Sequence, residues 1–244
     1  MSEAPLRIAM WSGPRNLSTA MMRSFGARTD TQCFDEPFYA AFLLLTGANH
    51  PMREAILKAH PTDPEAIARH MAHGTTSKPI VYQKHMTHHM VAGIPRDWMA
   101  HVRSVFLIRH PARVLASYAR KMETVSLEAI GFTQQAELFD YAAELSRVTP
   151  VVVDADDILR SPTTVLPALC NALGIPFEAA MLSWPPGPRA EDGVWAAHWY
   201  DAVWASTGFG DPPGPLPTLP DALQSILDAA MSDYERLAKI RIGA

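Results

Sequence analysis

The chain has 244 residues, of which 48% are hydrophobic and 19% charged, the balance of a globular protein that buries a substantial core and not of a disordered one. A formal net charge of -4 argues against a general nucleic-acid binder, which needs a cationic face. Residues 1 to 5 are too short and polar for a signal peptide and no apolar run approaches a membrane span. With Cys33 and Cys170 far apart and lacking metal or redox spacing, a reduced, cytoplasmic setting is therefore expected, with no membrane partner.

The first element is an apolar strand over Leu6 to Trp11, followed by "SGPRNLST" and a helical period at Leu17, Ala20, Met21 and Phe25. A strand, a donor-rich turn and a helix N-terminus make an anion cradle, because unpaired backbone N–H groups converge there. Gly13, Pro14, Arg15, Asn16, Leu17, Ser18 and Thr19 are its candidate residues. The stretch departs from the GxxxxGK[ST] loop, since Leu17 stands near the second glycine and the lysine is missing. The plainer alternative is a helix capped by Asn16 with Arg15 in solvent.

Further strands are predicted at Thr31 to Phe34, Pro79 to Gln83, Ser104 to Ile108 and Pro150 to Val153. Helical periods lie between them, as at Val114, Leu115, Tyr118 and Met122, and at Val165, Leu169 and Leu173. The alternation predicts an α/β architecture, a five-stranded parallel sheet with helices on both faces, within a single domain over 1–244. Ligands of such sheets sit at the carboxyl ends of the strands, and these ends read "SGPRN", "DEP", "KH", "RHP" and "VVVDADD". A segment rich in proline, glycine and tryptophan over about 184–218 predicts a long surface excursion with a short helix near Trp195 to Trp204, before a helical tail from Leu219 to Leu237. Trp195, Trp199, Tyr200 and Trp204 fall at helical spacing, which suits core packing, with an acceptor pocket as the alternative.

Taken together these strand ends resemble the sulfotransferases that use 3'-phosphoadenosine 5'-phosphosulfate (PAPS), of bacterial type and P-loop fold. "PRNLST" keeps that family's proline, base and hydroxyl pair. "LIRHPARVLAS" gives Arg109, Pro111 and Ser117 at the family's spacing, Lys84 and His85 match a lysine and histidine signature, and "VVVDADDILRSPTTVLPALCNALGI" follows its late acidic strand. Asn16 and Leu17 replace the usual serine and glycine.

The resemblance implies sulfuryl transfer from PAPS to a hydroxyl or amine of a small-molecule acceptor, a three-layer P-loop-type fold and no metal requirement. It also implies that Arg109 and Ser117 hold the 3'-phosphate, a role that suits the planar fork of arginine. Arg15 would clamp charge at the leaving group. Arg189 is a further candidate for the nucleotide phosphate, while Arg113 and Arg120 are expected to face solvent. Two strand ends offer a base, Glu36 in "FDEPF" and His85, and both stay open. The histidines of "KHMTHHM" have helical spacing for a metal but no evident further ligands, so packed histidines are expected. Asp156 and Asp157 are expected to cap the helix that follows them. Two other readings are a nucleotide-binding module of the same fold without catalysis, and an ATP-dependent kinase-like enzyme.

Overall fold

The computed structural model describes residues 4–122 and 124–243. Five strands run as β1 Leu6–Ser12, β2 Thr31–Asp35, β3 Ile80–Met86, β4 Arg103–Ile108 and β5 Val151–Asp154, all parallel, in the order β2-β3-β1-β4-β5. The β1–β3 and β1–β4 pairs put β1 at the centre, with Ser12 opposite Met86 on one side and Leu107 on the other. The reversal of strand order lies here, where such sheets bind ligands.

The helices are α1 Ser18–Gly26, α2 Tyr39–Thr46, α3 Arg53–Ala59, α4 Pro64–His73, α5 Pro111–Tyr118, α6 Leu127–Ile130, α7 Phe132–Ser146, α8 Ala155–Arg160, α9 Pro162–Leu173, α10 Ala196–Trp199, α11 Asp201–Trp204 and α12 Gln224–Ala238. Several starts follow from the local sequence. Asp63 accepts the N–H groups of Glu65 and Ala66 ahead of Pro64, and His110 Nδ1 accepts from Ala112 N–H ahead of Pro111. No described helix is long and apolar enough to cross a membrane.

Strand alternation divides the core in two. Ile8, Met10, Ile80, Tyr82, Val105, Leu107 and Val153 face one side, against α1, α2 and α9. Ala9, Trp11, Phe106, Ile108 and Val152 face the other, against α4, α7 and the end of α12. Three layers result, as the alternation in sequence predicted.

Three local expectations change. The segment predicted as one helix near Trp195 to Trp204 breaks at Tyr200 into α10 and α11, and the Tyr200 side chain is buried. Asp156 and Asp157 do not cap α8: the cap is Asp154, whose Oδ1 accepts from Asp156 N–H at 2.7 Å, because β5 ends at Asp154 and the helix begins at once. Arg113 is not solvent-facing, since its Nε donates to Asp156 Oδ2 at 2.7 Å and its guanidinium also reaches the carbonyls of Gly214 and Pro215. Arg120 is exposed, as expected.

Candidate active site

The loop after β1 is held in a shape that few side chains tolerate. A Cβ on Gly13 would lie 2.4 Å from the Ile130 carbonyl oxygen, so only glycine lets the chain pass this close to α6. Arg15 and Leu17 take left-handed backbone angles, φ 63° and 68°, each costing on the order of 1 kcal/mol or more for a non-glycine residue. Two hydrogen bonds offset that strain. Arg109 Nη1 donates to Arg15 O at 2.8 Å, and Asn16 Nδ2 donates to Leu107 O at 3.3 Å. Asn16 is thus a buried brace, and the residue before α1 is Leu17, which offers no side-chain cap. The first N–H groups of α1 stay available for an anion, with the positive end of the helix dipole behind them.

Arg15, Arg109 and Ser117 meet although they come from three different elements. Arg15 Nε donates to Ser117 Oγ at 2.9 Å, so α5 does pack against the loop closely enough for its serine to join. Burial, with Arg120 and Arg109 nearby, pulls the Arg15 guanidinium below its usual pKa. Among the described residues no carboxylate pairs with it. Arg109 is likewise lowered by burial, against the pull of Asp156, whose Oδ1 lies 3.6 Å from Arg109 Nε. That Nε is buried without a hydrogen-bond partner. A cluster of under-compensated guanidinium groups beside open backbone donors fits an anionic ligand.

These groups line a cavity of about 350 Å³ together with Pro14, Leu17, Ser18 and Thr19. Other parts of its wall come from Glu36, Tyr39, Lys84, His89, Trp199 and Tyr200. Glu36 follows β2 directly, and its N–H donates to Lys84 O at 2.9 Å. Lys84 Nζ is buried and donates to Asp35 Oδ1 at 2.9 Å, to Tyr200 Oη at 2.7 Å and to Glu36 Oε1. Burial alone would depress the Lys84 ammonium, but Asp35 and Glu36 outweigh it and hold the pKa well above the usual value. Glu36 is raised, chiefly by burial, because Asp35 competes for the same ammonium and adds a like charge. Its Oε2 is 3.9 Å from His89 Nε2. His89 packs against both Tyr39 and Phe42, with ring centroids 4.5 and 4.8 Å away, and burial keeps it neutral.

The other sequence candidates lie elsewhere. His85 follows Lys84 in β3 and therefore faces the opposite side of the sheet, stacked on Trp11 at 4.6 Å with Nε2 on Gln83 Oε1 at 3.1 Å. Burial pushes it down to about 3, and it does not line the cavity. Arg189 is also outside: its Nη2 donates to Pro185 O at 2.7 Å and its N–H to Asp192 Oδ2. Gly13 sits behind the loop. Sequence reasoning missed the Asp35, Lys84 and Tyr200 cluster, for which strand parity at Lys84 was the one available signal.

A family model described as "Sulfotransferase domain" matches residues 6–241. A curated relative, "Branched-chain-amino-acid aminotransferase-like protein 1" of Arabidopsis thaliana, is 37% identical over 96% of this chain and 42% of its own length. The chain thus spans about two fifths of that relative. Among solved structures, the sulfotransferase from Alicyclobacillus acidocaldarius aligns with TM-score 0.59 and 13% identity, covering 97% of this chain and 96% of that one. The sulfotransferase domain of the Synechococcus PCC 7002 olefin synthase aligns with TM-score 0.52 and 18% identity, covering 97% and 96%. Both structural likenesses bear on the fold.

Proposed function

Because the chain belongs to the sulfotransferase domain family, we propose that it transfers a sulfuryl group from PAPS to a hydroxyl or amine of a small-molecule acceptor, with Glu36 as the base. The observation that carries this reading is the meeting of Arg15, Arg109 and Ser117 on one cavity wall that also includes the buried Glu36.

The residues present fit an anionic nucleotide: unpaired guanidinium, an orphaned Arg109 Nε and uncapped helix N–H groups are what a phosphate or sulfate satisfies. Arg109 and Ser117 would hold the 3'-phosphate, and Pro14 to Thr19 the 5'-phosphosulfate. When bound, PAPS supplies the sulfuryl group and leaves as adenosine 3',5'-bisphosphate. Arg15, Ser18, Thr19 and the α1 N-terminus then face charge that grows during the reaction, where fixed donors act most strongly. Glu36 takes the acceptor's proton on Oε2, the oxygen that Lys84 does not engage. Lys84 keeps its charge and fixes the orientation of that carboxylate through Oε1.

The kinase-like reading loses support from the acidic strand. Asp154 caps α8 and bonds Tyr234, and Asp156 is engaged by arginines, so neither stands free for that role.

Isothermal titration with adenosine 3',5'-bisphosphate should give saturable binding near micromolar concentrations. Labelled PAPS incubated with a metabolite extract should yield a labelled acceptor. No bisphosphate binding, or tighter binding of magnesium-ATP, sinks the proposal, and binding without transfer to any acceptor leaves the non-catalytic module in its place.

A further inference from the structure

The excursion over 184–218 sends one hydroxyl into the centre of the site. Tyr200 Oη donates to Asp35, 2.9 and 2.8 Å from its two oxygens, and accepts from Lys84 Nζ at 2.7 Å and Trp195 Nε1 at 3.2 Å. Asp35 receives one more donor from the same excursion, Gly193 N–H at 3.1 Å. A single ammonium is therefore divided between two buried carboxylates, and between these two the excursion's shortest hydrogen bonds go to Asp35.

We propose that Tyr200 is a positioning residue that sets the proton affinity of Glu36, acting through Asp35 and Lys84 without touching the acceptor's proton itself. With its hydroxyl in place, Asp35 is satisfied by donors other than Lys84, and more of the Lys84 charge is left for Glu36 Oε1. Without it, Asp35 draws the ammonium toward itself and the Glu36 carboxylate loses its counterion. The groups that face Glu36 are Asp35 from β2, Lys84 from β3, His89 from the turn after β3, Tyr39 from α2 and Tyr200 from the excursion. Of these, Tyr200 is the one that comes from the excursion over 184–218.

The inference rests on Glu36 being the base, yet it has a readout that needs no acceptor. The full chain is labelled with glutamate carrying carbon-13 at the side-chain carboxyl, the Glu36 signal is assigned by its loss in Glu36→Gln, and its titration is followed by NMR. Tyr200→Phe should move the titration upward by about half a pH unit or more. A second protein with 3-fluorotyrosine at position 200, a stronger donor to Asp35, should move it downward, and this arm decides if Tyr200→Phe fails to fold. A Glu36 titration unmoved in the variant that folds overturns the proposal, as does a shift of the opposite sign. Transfer by Glu36→Gln at the wild-type rate would instead overturn the base assignment, so the two failures are told apart.

Discussion

Arg15 Nε and Ser117 Oγ are 2.9 Å apart, a hydrogen bond that ties the loop after β1 to α5 across 102 residues of sequence. A serine two turns into a helix is far from the helix's own N-terminus, so it joins the anion site only because α5 lies against the loop. Arg109 completes the tie from β4 by holding the Arg15 carbonyl.

Arg109→Ala is expected to weaken adenosine 3',5'-bisphosphate binding by roughly 1.5 to 3 kcal/mol, the cost of a charge-assisted hydrogen bond. It also frees the Arg15 carbonyl, so part of the loss reflects a relaxed loop. Ser117→Ala isolates the smaller, neutral contribution, and titration calorimetry of both variants checks the order.

Gly13→Ala places a methyl group 2.4 Å from the Ile130 oxygen. Since that contact is backbone, the loop must move, with an expected destabilisation of about 1 to 3 kcal/mol. Urea unfolding measures it. Bisphosphate affinity should fall in the same variant, since the displaced segment carries the donors.

Glu36→Gln keeps the side-chain shape and removes the proton acceptor, so transfer should fall by roughly 10² to 10⁴ while bisphosphate affinity is kept. In the wild type the base must be ionised. Because burial raises Glu36, activity should decline on acidification at a pH above the ordinary carboxylate range, and the acid limb of the pH–rate profile locates it.

His85 gives a stability prediction with a definite sign. Its folded-state pKa is depressed from 6.5 to about 3, so the unfolded chain binds the extra proton between those values. Its contribution is present above pH 6.5 and is lost as pH falls toward about 3, at about 1.4 kcal/mol per pH unit. His85→Phe keeps a ring against Trp11 and removes the titration, so the acid slope of stability should flatten by that amount in denaturation curves at pH 7 and pH 5.

The sequence made the strands legible because their apolar runs are short and bounded by turns. It ended β3 at Gln83, however, whereas the strand continues to Met86. "KHM" does not look like strand core until the partners that satisfy Lys84 are known. The loop and Arg109 were legible because each sits at or just past a strand end, whereas Ser117, inside α5, joined them only through the family resemblance. Tyr200 was not legible, because it is placed by tertiary packing of Trp195 against Tyr39 and by a buried bond to Asp35, neither of which leaves a local pattern. The Asp154 cap was misplaced onto Asp156 and Asp157 for a related reason. Three aspartates in four residues look alike until the end of the strand is fixed.

The opposite orientations of Lys84 and His85 also bear on how such a site can change over evolutionary time. A deletion of one residue early in β3, with the pairing to β1 restored, would bring the imidazole to the Lys84 position, facing the cavity, and the ammonium to the Gln83 position on the opposite face. One codon separates two chemistries at this wall, a carboxylate steered by a lysine and a histidine acting in its own right. The even or odd count of residues along a single strand selects between them.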